Sequence, residues 1–384
     1  MEFKLTDEQK MIQETARDFG QKEIAPTAEA MDAKAEFPAQ HVKKLAELGM
    51  LGMMVPTKWD GAGLDTVTYT LALEEICAAD ASTGITMSVN NSLYCAPINK
   101  YATDQQKQRY LSPFARGELL GAYALSEPGT GSDAANQSTT AVLKGDKYIL
   151  NGRKNFITNG PNADSMLIYA MTDKEKRHKG ISCFIVEKDF PGFSIGKIEK
   201  KMGIRASSTS EVVLEDCEVP KENILGEEGL GFIIAMTTLD GGRIGVGTQA
   251  VGIARAAFDA ARHYAVQREA FGKVIADFQA IQHFLADMAT ELDAARLLVH
   301  RAAWLKDHNL KFSKQAAMAK LYASEMSHRV THKAVQIHGG YGYVRDYPVE
   351  RYYRDARITE IYEGTSEIQR LVIARNVIKE IGQS

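Results

Sequence analysis

Cysteine is scarce. Cys77, Cys95, Cys183 and Cys217 are the four in 384 residues, none in a Cys-x-x-Cys pair and all among apolar neighbours. That excludes a disulfide-built scaffold or a zinc ribbon and predicts buried free thiols in a reducing compartment. An excess of one charge is also lacking: 49 acidic against 46 basic residues leave a net charge of −3. No global field therefore draws in nucleic acid or an anionic membrane. No apolar run reaches the ~18 residues of a bilayer-spanning helix. The nine histidines are scattered, and no His, Cys or carboxylate set has metal-ligand spacing, so no metal is expected. Neither G-x-G-x-x-G after a strand nor G-x-x-x-x-G-K-[ST] occurs. The start, MEFKLTDEQKMIQETARDF, is amphipathic and acidic, without the apolar core of a signal peptide. A cytoplasmic setting is expected, and the matrix form of an organellar protein, its presequence removed, has the same features.

What is present is an ordinary globular mixture, 45% hydrophobic and 25% charged, long enough for two or three units with sizeable cores. Residues 1 to about 120 repeat apolar positions at three and four, as in HVKKLAELGMLGM and YTLALEEICAAD, the helical period. TDEQ at 6–9 has the form of a capping box, Thr6 before Gln9. From about 121 to 230 the character changes to short β-type runs separated by Gly, Pro and charged turns. TTAVLKGDKYILNG predicts a hairpin, and MLIYAM, ISCFIVE, FSIGKI and SEVVLED follow at short spacing, a small antiparallel β unit. From 231 to the end, long Ala-, Leu- and Met-rich segments with apolar stripes predict a helical bundle. The order is α+β, with domains at 1–120, 121–230 and 231–384, and it excludes Rossmann-type βαβ alternation.

Several short stretches carry possible chemistry, each with an ordinary structural alternative. LSEPGTGSD (125–133) is a small-residue loop whose backbone N–H groups suit a flat ligand or a phosphate, or a linker between domains. In NFITNG (155–160), Phe156 and Thr158 either face a planar ring or join the core. LDGGRIG (239–245) sets two glycines in a helical pattern; each costs about 1 kcal/mol against alanine, which implies close approach by another body. Asp240 and Arg243 share a face there, as an ion pair or as ligand contacts. Arg268 in REAFGK is a pyrophosphate partner or a surface arginine. Gly339 and Gly340 in QIHGGYGY admit a phosphate-bearing ligand or cap a helix. In IYEGTSEIQR (361–370), Glu363 follows an apolar pair, Ile361 and Tyr362, and precedes Gly364. A carboxylate that loses hydration there rises from about 4.3 toward the range of a general base. The alternative is an exposed acid at a helix start.

Taken in order, YALSEPGTGSD, NFITNG, KMGIRASSTSEV, LDGGRIG, REAFGK, QIHGGYGY and IYEGTSEIQR, with SVNNSLY at 88–94, resemble the acyl-CoA dehydrogenases over nearly the whole chain. The short-chain, butyryl-CoA branch is the closest in look. The resemblance implies an N-terminal helical domain, a middle β domain and a C-terminal four-helix domain. It also implies FAD, an acyl-CoA thioester substrate, a homotetramer and electron-transfer flavoprotein as electron acceptor. The implied reaction is α,β-dehydrogenation to the trans-2-enoyl-CoA, with Glu363 abstracting the α-proton and the flavin taking the β-hydride. Hydrogen bonds to the thioester oxygen, from the ribityl chain and the Glu363 N–H, would act as an oxyanion hole.

The resemblance also assigns roles by position. Tyr123, Leu125, Ser126, Gly131 and Ser132 match the flavin loop, with Ser132 also beside the CoA phosphates. Phe156 and Thr158 match residues packed on the isoalloxazine; many relatives have Trp at the position of Phe156. Arg268, Phe271 and Gln279 match cofactor contacts made by a neighbouring subunit, and Gln336, Gly339 and Gly340 its pyrophosphate site. Thr365 and Glu367 match adenosine-side contacts. Asp240 and Arg243 match CoA contacts, and Gly364 would leave room for the thioester. Isovaleryl- and long-chain-type enzymes carry their base at the position of Gly242, so Glu363 has no rival here. Glutaryl-type enzymes have Arg at the position of Gly84, which disfavours a dicarboxylic substrate. Rival expectations are a relative acting on branched, cyclic or medium-chain acyl-CoA, an oxidase, or a non-catalytic flavin- or acyl-CoA-binding protein.

Overall fold

The computed structural model describes residues 4–382. The N-terminal region is a stack of helices: α1 Asp7–Phe19, α2 Ala25–Lys34, α3 Ala39–Glu47, α4 Thr66–Ala79, α5 Ala81–Ser88, α6 Ala96–Tyr101, α7 Asp104–Tyr110 and α8 Ser112–Ala115. The capping box at Thr6 and Gln9 forms as expected, each side chain satisfying the other residue's backbone N–H. α5 runs into α6 through Val89–Cys95, which is wound as π-helix. Two buried amides hold this wider turn. Asn91 Nδ2 donates to Met50 O and Met87 O, and Asn90 Nδ2 to Leu51 O and Phe114 O. Such turns recur at functional sites, and this one lines the cavity described below.

The middle region is one sheet of seven strands: β1 Gly121–Ala124, β2 Thr140–Lys144, β3 Lys147–Thr158, β4 Ser165–Met171, β5 Ile181–Glu187, β6 Phe193–Ile198 and β7 Thr209–Pro220. The β2–β3 hairpin and the β3–β7, β4–β5 and β6–β7 pairs are antiparallel. Two pairings depart from the antiparallel expectation: β1 runs parallel to β4, and β2 meets β4 in parallel at Thr140–Met171. The reason is topological. β1 and β4 are separated in the chain by a whole hairpin, and parallel neighbours need such a crossover. β3 bulges between Lys154 and Ile157, which turns Phe156 outward at φ 59°.

The C-terminal region contains α9 Gly231–Gln267, a short hairpin of β8 Glu269–Ala270 and β9 Lys273–Val274, α10 Gln279–Asp307, α11 Ser313–His338, α12 Val349–Ala356 and α13 Ser366–Ile381. Small residues let the long helices approach closely. Ala250, Ala254, Ala257, Ala261 and Ala265 of α9 share one buried core with Ala295, Ala302 and Ala303 of α10 and Ala316, Ala319 and Ala323 of α11. A buried ion cluster ties this bundle to α4: Glu74 accepts from Arg296 at 2.8 and 3.0 Å, and Glu75 from Arg255 at 2.6 Å. The four cysteines are free and buried, as their apolar surroundings predicted.

Candidate active site

A cavity of about 180 Å³ lies where the three regions meet. Ile85, Val89 and Leu93 line it from the N-terminal helices. Tyr123, Leu125, Ser126, Gly131, Ser132, Phe156 and Thr158 line it from the sheet, and Met236, Leu239, Arg243, Tyr362, Glu363 and Gly364 from the C-terminal region. Ten residues singled out from the sequence are thus brought to one place, from stretches up to 241 positions apart (123 to 364).

Glu363 sits in the turn entering α13. It and Gly364 both take positive φ, 54° and 90°, a strained conformation for glutamate. Side chains from outside hold the turn. Gln369 Nε2 donates to Glu363 O at 3.1 Å and Gly364 O at 2.8 Å, and Lys320 Nζ donates to Gly364 O at 2.8 Å. Thr365 caps α13 by accepting from Ile368 N. The residue as a whole is half-buried, yet its Oε2 is sealed from water and has no hydrogen-bond partner. A Cβ at Gly242 would lie 2.0 Å from that oxygen, so of the two glycines in LDGG it is Gly242 whose missing side chain the fold uses. Burial pushes the Glu363 carboxyl up to about 7, against the pull of Arg243 and Lys320.

One detail differs from the sequence reading. Ile361 is 46% exposed, so only Tyr362 of the apolar pair helps desolvate Glu363. The rest of that shielding comes from α9 and from Leu93, whose Cδ2 lies within 2.8 Å of the same ideal Cβ at Gly242. Gly364 is required by its φ and by the Gln369 amide, which a Cβ would approach to 2.7 Å.

The loop from Leu125 to Asp133 is anchored by a buried ion pair. Lys154 Nζ donates to Glu127 Oε1 at 2.8 Å, and both side chains are 0% exposed. Glu127 also accepts from Ser138 N and Thr139 N, and Lys154 reaches Gln137 Oε1 and Leu125 O. The pair holds Glu127 well below the usual carboxylate range, at about 2, with Lys154, Ser138 and Thr139 outweighing its burial. Above this anchor Gly129 and Gly131 face open space.

Asp240 and Arg243 are ion-paired at 2.5 Å, with Ser313 Oγ donating to Asp240 at 2.9 Å. Arg243 faces the first cavity. Asp240 lines a second, of about 640 Å³, with Lys100, Tyr101, Thr237 and Lys306. Arg268, Phe271, Gln279, Gln336, Gly339 and Gly340 lie outside both cavities. Arg268 covers the ring of Tyr341 at 5.7 Å, and Gly339 and Gly340 have open space where side chains would be. Phe271 is 96% exposed at the tip of the β8–β9 hairpin with φ 53°, a turn position that disfavours a bulky residue. Thr365 and Glu367 sit at the start of α13, outside the cavity. Sequence inspection missed Ile85, Val89, Lys320 and Gln369. Ile85 is an ordinary apolar residue of a helix, Val89 and Gln369 lie within SVNNSLY and IYEGTSEIQR without standing out there, and Lys320 acts from inside α11 with no motif around it.

A helical domain, a β sheet and a helical bundle thus meet at one cavity lined by a desolvated carboxylate, Glu363, and an outward-turned aromatic, Phe156. Family models agree over the chain. The N-terminal, middle and C-terminal domains of acyl-CoA dehydrogenase match residues 6–118, 122–217 and 229–378. The chain belongs to the acyl-CoA dehydrogenase family, whose members are FAD-dependent oxidoreductases. It is 55% identical over 375 residues to the short-chain specific acyl-CoA dehydrogenase of mouse mitochondria, covering 98% of this chain and 91% of that protein. The butyryl-CoA dehydrogenase structure from Megasphaera elsdenii superposes with a TM-score of 0.97 at 48% identity, covering 98% of this chain and all of that one. A chain in the structure of the electron transferring flavoprotein of Acidaminococcus fermentans gives a TM-score of 0.97 at 53% identity, covering 98% and 99%.

The cavity suits a flavin ring. Phe156 is 64% exposed on the bulge, Gly131 has open space where a side chain would be, and Ser126 and Thr158 line the same cavity. These are an aromatic face, close-approach backbone and short polar groups in one place.

Proposed function

We propose that the protein is an FAD-dependent dehydrogenase of short-chain acyl-CoA thioesters, butyryl-CoA foremost, forming the trans-2-enoyl-CoA and passing electrons to electron-transfer flavoprotein. The observation that carries the reading is Glu363: a carboxyl raised toward neutrality, with one oxygen lacking any partner, on a residue that lines a cavity with Phe156 and Thr158. A base of that strength is ionised near neutral pH and still takes a proton well.

Glu363 would accept the α-proton of the thioester. No hydrogen bond among the described residues uses its N–H, which leaves that donor for the thioester oxygen as enolate charge develops. Arg243, 5% exposed, adds positive charge to the same cavity. Phe156, Thr158, Leu125, Ser126 and Gly131 would hold the flavin, with Ser132 and Asp240 toward the CoA. What FAD contributes when bound is acceptance of the β-hydrogen with its electron pair. Arg268, Phe271, Gln279, Gln336, Gly339 and Gly340, exposed and remote from the cavity, would meet the cofactor across the interfaces of a homotetramer.

The acyl end of the cavity favours a short chain. Ile85 and Val89 are 1% and 3% exposed, and Tyr362 hydrogen-bonds to Gln249, together closing it with apolar bulk. Gly84 leaves no space for a cation that would hold a second carboxylate: a Cβ there would meet Cys77 Sγ at 2.2 Å. Anaerobic addition of butyryl-CoA to the flavin-loaded protein tests the reading. Prompt loss of the visible flavin absorbance supports it. Loss only with longer, branched or cyclic thioesters moves the substrate, and no loss with any thioester overturns the reading.

A further inference from the structure

We propose that Lys320 is a positioning residue of this site, clamping the Glu363–Gly364 turn so that the carboxylate and the Glu363 N–H both face the cavity. The inference rests on Glu363 being the base. Lys320 is the eighth residue of α11 and is 0% exposed. Lysine is almost never fully buried unless its ammonium is paired. Here the ammonium does not bond a carboxylate; it donates to Gly364 O at 2.8 Å, the oxygen that Gln369 Nε2 also reaches. With Gln369 on Glu363 O, two successive carbonyls accept three side-chain hydrogen bonds.

That arrangement opposes relaxation of two consecutive positive-φ residues. A change of φ at Glu363 would turn its N–H relative to its carboxylate, so that both could no longer face the cavity, and displacement on the scale of 1 Å costs about 10²-fold in rate. The placement also explains why the charge is one residue away from the carboxylate. An ammonium bonded to Oε2 would block proton acceptance, whereas one bonded to the next carbonyl still favours the anion through space. The other groups facing Glu363 are Arg243 from α9, Tyr69 from α4, Tyr123 from β1 and the adjacent Tyr362; Glu360 and Glu367 face Lys320.

The test uses the full-length flavin-loaded enzyme with Lys320→Met, Lys320→Gln and Glu363→Gln. Three quantities are measured: the rate constant of flavin bleaching against pH, enoyl-CoA binding by calorimetry, and the thermal unfolding midpoint. Lys320→Met should lower the plateau rate about 10²-fold with enoyl-CoA binding little changed, and its rise should move to higher pH. Lys320→Gln keeps a donor for Gly364 O without the charge, so it should restore most of the plateau while keeping the displaced profile. A purely structural lysine would lower the midpoint and leave the profile of the folded enzyme in place. Folded Lys320→Met with wild-type rate and profile overturns the proposal, and Glu363→Gln inactive in the same assay shows that the base reading survives. If Lys320→Met does not fold, an undisplaced profile in Lys320→Gln overturns it. A fully active Glu363→Gln overturns the base reading itself.

Discussion

Gly242 and Glu363, 121 positions apart, share a space with no room for one methyl group: a Cβ on the glycine would stand 2.0 Å from the glutamate Oε2. Gly242→Ala should therefore push the carboxylate aside and cut turnover about 10²-fold while the protein still folds and binds flavin. The converse also follows. Glu363→Gly should be inactive, and adding Gly242→Glu should return part of the activity, because the new carboxylate occupies the vacated space. Steady-state rates of the three variants check both halves.

Glu363 rises from 4.5 to about 7 on folding. The free enzyme should gain kcat/KM about tenfold per pH unit below that value and reach a plateau above it. Stability runs the other way. A carboxyl raised by folding costs nothing below its unfolded value, and its penalty grows as pH rises from 4.5 to about 7, reaching roughly 3 kcal/mol at most. Glu363→Gln should thus unfold at a higher temperature than the parent at pH values above that window, and the gap should close as pH falls through it. Thermal melts along a pH series decide this.

The Glu127–Lys154 pair anchors the loop that carries Ser126, Gly131 and Ser132. Removing one partner strands a buried charge, which costs about 3–5 kcal/mol. Lys154→Met should lower the melting midpoint sharply and weaken flavin retention. Glu127→Gln with Lys154→Met should recover part of the stability. Calorimetry with a flavin absorbance ratio reads both effects.

Val89 and Ile85 line the cavity at the end proposed for the acyl chain. Val89→Ala should shift preference toward longer thioesters, by about tenfold in the kcat/KM ratio per added methylene accommodated. The comparison is butyryl- against hexanoyl-CoA. An unchanged ratio would place the chain-length limit elsewhere.

The three-part architecture was legible because each region keeps one texture: apolar positions at three and four in α1–α8, short apolar runs between turns in β2–β7, and an Ala-rich helical stripe in α9–α11. Parallel pairing of β1 with β4 was not, since strand order depends on contacts remote in sequence. In the site, Glu363, Gly242 and Phe156 were visible because each breaks a local rule: a carboxylate beside apolar residues, a glycine in a helix, an aromatic before a turn. Lys320 and Gln369 break none. A lysine in a helix is unremarkable in sequence, and only burial with an aimed ammonium marks it. Ile361 shows the opposite error. Its adjacency to Glu363 suggested shielding, but the chain turns it to solvent.

The most direct measurement is the visible spectrum of the wild-type protein and Glu363→Gln, each mixed anaerobically with butyryl-CoA. Both should be yellow, the wild type should bleach promptly, and Glu363→Gln should stay yellow with the thioester bound. A Glu363→Gln protein that bleaches at the wild-type rate would contradict the assignment of Glu363 as the base.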